Sequence, residues 1–148
     1  MKDTVAFVGG DNEIGYMVEK KGEYGIYDNG HILVIDDNAM VLRNIKSLLE
    51  NRYSVAVAPS GKHGFMSIEQ KKPNLILLDY EMPGMNGKEV LEKLQEDEDT
   101  KDIPVVFLTS VDSRDVVMEL LALKPAGYLL KPVDIQMLHD KIFDIIGR

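Results

Sequence analysis

The sequence contains no cysteine. Disulfides, thiolate metal sites and a cysteine nucleophile are therefore excluded. No apolar run approaches the roughly 18 residues of a membrane span, and the apolar stretch in "MKDTVAFVGGDNEIG" is too short for a secretory signal. The default expectation is a soluble, cytoplasmic chain with no membrane partner. Basic residues are scarce: 17 Lys and Arg stand against 25 Asp and Glu, a net charge of −8. Direct binding to nucleic acid or to an anionic membrane needs the opposite balance. What remains is 148 residues, 45% of them hydrophobic, enough for the core of one ordinary domain.

From residue 31 onward, short apolar runs alternate with segments of helical period. "ILVI" (32–35) and "LILL" (75–78) read as strands buried on both faces, and "SVAVA" (54–58) as a weaker, edge-like one. "PVVFL" (104–108) and "AGYLL" (126–130) complete five strands. Helices are expected after each: from the cap Asn38 with Val41, Ile45, Leu48 and Leu49; from Ser60-Gly61 to Gln70 with Phe65, Met66 and Ile68 inward; over 88–95, 113–123 and 134–146. "EMPGMNG" (81–87) can only be a loop, its methionines Met82 and Met85 covering a site edge. The three histidines, His31, His63 and His139, stand alone and are expected at the surface or its boundary. Five strand-then-helix units imply a doubly wound parallel sheet. With strand order 2-1-3-4-5, a flavodoxin-like arrangement, sites lie outside the carboxyl ends of the strands at the switch point.

That edge collects polar residues. Asp36 and Asp37 follow the first strand, Asp79 the third, Thr109 the fourth and Lys131 the fifth. Three clustered carboxylates repel one another and need a cation. Oxygen-only ligands suit a hard ion, Mg²⁺ or Mn²⁺. A metal, a nucleophilic carboxylate, a hydroxyl and an ammonium together suit transfer of a phosphoryl group to a carboxylate oxygen, giving an acyl phosphate.

"ILVIDDN", "LILLDYEMPGMNG", "VVFLTS" and "GYLLKP" resemble, in order and spacing, the signature segments of the receiver domains of two-component response regulators, the chemotaxis-type single-domain receivers among them. The resemblance covers about residues 31–148. It implies that Asp79 is the phosphoacceptor, a 4-aspartylphosphate when loaded. Asp37 would bind Mg²⁺ directly, Asp36 mainly through water, and the Glu81 backbone carbonyl would complete the protein ligands. Thr109 would be the switch hydroxyl, Tyr128 the aromatic that moves with it, and Lys131 the phosphoryl's ion-pair partner, followed by a cis Lys131–Pro132 peptide. The partners implied are a sensor histidine kinase or histidine phosphotransfer protein upstream and a protein downstream, with no turnover of a separate substrate. Glu81 and Val111 occupy variable places that tune phosphoryl lifetime.

Two rivals share this pattern. A degenerate receiver would serve as a phosphorylation-independent scaffold. A Mg²⁺-dependent aspartyl phosphatase would carry an Asp two residues after its nucleophile, where Glu81 stands, and a cap domain. "GGDN" (9–12) resembles a diguanylate cyclase signature, but such a domain does not fit in thirty residues. Residues 1–30 match no receiver segment; 5–9 and 16–27 read as a strand and a β-hairpin. Only Gly147 and Arg148 follow the last helix, so a protein–protein output is expected. The fourth helix is apolar around most of its circumference, and Met137 and Phe143 lie off the apolar face formed by Ile135, Leu138, Ile142, Ile145 and Ile146. The fourth helix, fifth strand and last helix are thus the expected partner or dimer surface.

Overall fold

The computed structural model describes residues 29–148. The expected strand and hairpin at 5–27 lie outside the described residues. The strands are β1 (His31–Ile35), β2 (Ser54–Ala58), β3 (Leu75–Asp79), β4 (Val105–Thr109) and β5 (Gly127–Leu130). The helices are α1 (Ala39–Leu49), α2 (Gly61–Gln70), α3 (Gly87–Glu96), α4 (Arg114–Ala122) and α5 (Ile135–Ile146). All four strand pairings are parallel, in the order β2-β1-β3-β4-β5. The expected architecture is the observed one.

The continuous apolar runs make sense once both sheet faces are covered. Ile32 and Val34 of β1, Leu75 and Leu77 of β3, and Val106 and Leu108 of β4 pack with Leu42, Ile45 and Leu49 of α1 and Leu138 and Ile142 of α5. Their alternates, Leu33, Ile35, Ile76, Leu78, Val105 and Phe107, pack with Val90, Leu91 and Leu94 of α3 and Leu120 of α4. Side chains alternate across a strand, so an all-parallel sheet with two helical layers admits almost no polar residue in its three inner strands. Each fully buried Leu or Ile contributes about 1.5–3 kcal/mol. At the edge, β2 is only partly buried, as its mixed sequence suggests.

The helices begin where side-chain oxygens meet free backbone N–H groups. Asn38 accepts from Met40 and Val41, Ser60 from His63, Ser113 from Val116 and Asp134 from Met137. Asn86 and Glu89 form a reciprocal capping box at α3. Gly147 closes α5 in the left-handed conformation that a residue with a Cβ rarely adopts.

Four expectations fail. Met66 is exposed; Phe65 and Ile68 alone turn α2 toward the core. Ile135, the first residue of α5, is exposed, and the burial of that helix begins at Leu138. Met82 is a core residue of the α3–α4 side, not a lid over the site. His31 is buried: Nδ1 lies 2.8 Å from Ser54 Oγ, its partner in the β1–β2 register. Burial, and then the Lys71 charge, hold its pKa below the ordinary histidine value.

Candidate functional site

The carboxyl ends of β1, β3, β4 and β5 bring the anticipated residues to one edge. Continuing each strand's alternation, Asp36, Asp79 and Lys131 turn to the α1–α5 side, and Thr109 to the α4 side. One carboxylate oxygen from each of Asp36, Asp37 and Asp79 lies within 4.8 Å of the others. Asp36 and Asp79 are buried and Asp37 is exposed. These three acids could together hold a metal ion.

Lys131 bridges the two buried carboxylates, with Nζ 2.9 Å from Asp36 Oδ2 and 3.2 Å from Asp79 Oδ1. Asn38 N–H donates to Asp36 Oδ1 at 2.9 Å, so both oxygens of Asp36 are engaged. Asp79 Oδ1 also accepts from the Glu81 N–H at 3.1 Å. Among the described residues, the hydrogen bonds to Asp79 thus fall on Oδ1 and leave Oδ2 open.

One ammonium does not neutralise two buried carboxylates. Loss of hydration and then the Asp36 charge raise the Asp79 pKa to about 7, against the pull of Lys131 and the Glu81 N–H. Burial opposes the charge on Lys131 as well. Its bond to Asp36 and the attraction of both carboxylates outweigh burial and hold it above the ordinary lysine value.

Backbone packing fixes Asp79. A Cβ on Gly87 would fall 2.5 Å from the Asp79 carbonyl oxygen and 2.8 Å from Tyr80 Cα, so only glycine lets α3 begin against this turn. The Lys131–Pro132 peptide is cis, as expected. Tyr128 is half-buried against the α4-side core.

Two contacts were not foreseen. Thr109, fully buried, donates its hydroxyl to Glu81 Oε2 at 2.6 Å, and Ser110 N–H lies 3.5 Å from Oε1. Next to Glu81, the Tyr80 ring meets Phe107 edge-on at 5.1 Å. Burial, and then the Glu119 carboxylate of α4, push the Tyr80 phenol up to about 12. The two residues after Asp79 therefore tie the β3–α3 loop to β4. The signal available in the sequence is the acid two places after Asp79, whose side chain is expected to tune phosphoryl lifetime but carries no hint of its partner Thr109.

Comparison with known proteins agrees with this geometry. The family model for the response regulator receiver domain matches residues 32–143. The chemotaxis protein CheY of Pseudomonas aeruginosa is 32% identical over 119 residues, which are 79% of this chain and 96% of that protein. The response regulator PleD of Caulobacter vibrioides is 35% identical over 115 residues; these are 77% of this chain but 25% of PleD, so the chain spans about a quarter of that relative's length. A crystal structure of a response regulator receiver domain protein from Clostridium thermocellum superposes with a TM-score of 0.69 at 32% identity, covering 80% of this chain and 94% of that one. With the fold, the clustered acids and these matches in agreement, the chain belongs to the response regulator receiver domain family.

Proposed function

We propose that the chain accepts a phosphoryl group on Asp79 Oδ2 and signals by the shift in conformation that follows. The observation that carries this reading is the buried Asp36–Asp79 pair, bridged by a single Lys131, with Asp37 at its rim. Such a cluster is costly to build, and its donors are all oxygens, which fits Mg²⁺ or Mn²⁺. Asp37, Asp79 and the Glu81 carbonyl would bind the ion directly. Asp36, with both oxygens already engaged, fits contact through water. The ion, when bound, supplies positive charge for the phosphoryl oxygens.

The chain's own groups do the rest. Lys131 holds Asp79 Oδ1 and so orients Oδ2 toward the incoming phosphorus. Oδ2 forms the new P–O bond, and the bond from phosphorus to its donor breaks, the electron pair leaving with the donor. Lys131 then pairs with the phosphoryl group, and the Thr109 hydroxyl moves to it. Tyr128 packs against the same core as α4 and would follow. The donor class is a phosphohistidine of a sensor kinase or phosphotransfer protein. The chain assists this transfer and the later hydrolysis but turns over no separate substrate.

The unit responsible spans 31–148, and residues 1–30 are an N-terminal extension to it. Met118 and Leu121 of α4, Leu130 of β5, and Met137 and Phe143 of α5 are exposed apolar side chains. They support an output surface for a protein partner or a second copy. Among the described residues, no helix is long and apolar enough to cross a membrane.

Intact mass after incubation with acetyl phosphate and Mg²⁺ tests the reading. One phosphoryl group should be gained by the wild type, lost with EDTA, and absent in Asp79→Asn. No gain in a folded wild type, together with no binding of beryllofluoride, would leave the scaffold reading in its place.

A further inference from the structure

A threonine hydroxyl carries one proton and can donate it to one acceptor at a time. In the resting chain two acceptors lie within reach of that proton. Thr109 Oγ1 donates to Glu81 Oε2 at 2.6 Å, a short bond to a charged acceptor, which outcompetes the Val111 carbonyl at 3.4 Å. The same oxygen accepts from the Val111 N–H at 3.1 Å with one of its two lone pairs. Thr109 is fully buried and sits at the end of a strand; Glu81 is an exposed loop residue. The contact is made by the exposed partner reaching in.

Resting on the reading of Asp79 as phosphoacceptor, we infer that the Glu81 side chain is a positioning residue that withholds the Thr109 hydroxyl from the phosphoryl group and so sets how readily the chain changes state. The two engagements of the hydroxyl exclude each other because they need the same proton. The Val111 N–H bond uses a lone pair and can persist through the exchange. A loaded Asp79 carries about 1.5–2 negative charges on its phosphoryl oxygens, against at most one on the free carboxylate, beside a loop whose Glu81 N–H already touches Asp79 Oδ1. Like charge then disfavours the Glu81 carboxylate where it lies. The residue that restrains the resting state is thus expelled by the event that ends it.

The test is a double-mutant cycle on the full chain, with beryllofluoride and Mg²⁺ as the phosphoryl probe and affinity read by calorimetry. Glu81→Ala should tighten beryllofluoride binding about three- to tenfold, the scale of one surrendered charge-assisted bond at a partly solvated site. Glu81→Gln, which keeps an acceptor but not the charge, should fall between. In a Thr109→Ala background the effect of Glu81→Ala should shrink to within about twofold, the part owed to charge alone. Equal tightening in both backgrounds, or none in either, overturns the inference. An independent measurement guards against failure of Thr109→Ala to fold. Three-bond couplings to the Thr109 methyl in the resting protein should report one side-chain rotamer in the wild type and averaging in Glu81→Ala. Unchanged couplings also overturn it. A wild type that binds no beryllofluoride refutes the phosphoacceptor reading instead, and the methyl couplings then decide separately whether Glu81 positions Thr109.

Discussion

Replacing Asp79 by asparagine should make the metal-free protein more stable, although it removes the residue on which the proposed function depends. Asp79 is buried beside Asp36 with one shared lysine, and its pKa stands at about 7 against 3.8 for a free side chain. The folded state therefore holds a proton that the unfolded state releases between those values. Stability falls as pH rises through this window, because the unfolded chain binds fewer protons there. At 1.36 kcal/mol per pH unit, ionising Asp79 costs the fold up to about 4 kcal/mol above pH 7. Asparagine matches the neutral acid in shape, so Asp79→Asn should gain about 2–4 kcal/mol at pH 8. Urea denaturation in EDTA would measure it. The gap should narrow steadily as pH falls from 7 toward 4. Saturating Mg²⁺ should narrow it from the other side: a ligand at 100 times its Kd stabilises the wild type by about 2.7 kcal/mol, and the variant, one charge poorer, by less. A variant no more stable than wild type at pH 8, or a gap that is the same at pH 5 and pH 8, would refute the electrostatic account of the site.

Other outcomes follow from the same geometry. Lys131→Met leaves two buried carboxylates without their cation and should lower stability at pH 8 by about 3 kcal/mol, a loss that Mg²⁺ or acid partly restores in thermal melts. Gly87→Ala drives a Cβ into the backbone of Asp79 and Tyr80; about 1–3 kcal/mol should be lost, and phosphorylation by acetyl phosphate should slow in a protein that still folds. Leu121→Glu with Phe143→Glu should leave stability within about 0.5 kcal/mol, since both side chains are exposed, while abolishing any beryllofluoride-dependent self-association seen by sedimentation.

The sheet was legible because its inner strands are buried on both faces, a condition that writes itself into the sequence as "ILVI" and "LILL". The topology followed from the strand–helix alternation, and with it the meeting of Asp36, Asp79, Thr109 and Lys131 at one edge. What stayed hidden depends on pairing register and loop rotamers. His31 looked like a boundary residue because nothing in its neighbours reveals that Ser54 lies opposite. Ile135 fits the apolar period of α5, yet burial in that helix begins only at Leu138, which periodicity does not reveal. Glu81 carries no periodic signal at all; its side chain finds Thr109 only because the turn after β3 folds toward β4.

The alternation of side chains across the sheet has a further consequence. Asp36, Asp79 and Lys131 face the layer of α1 and α5, whereas Thr109 and Tyr128 face the layer that holds α4. On the proposed roles, charge is received on one side of a solid apolar wall and read out on the other. The wall is apolar, so on this reading information passes around its rim, by the turn after β3 and the end of β4. One face could then diverge to suit a different donor while the other kept its listener, with Thr109 the single hinge between two otherwise separate vocabularies.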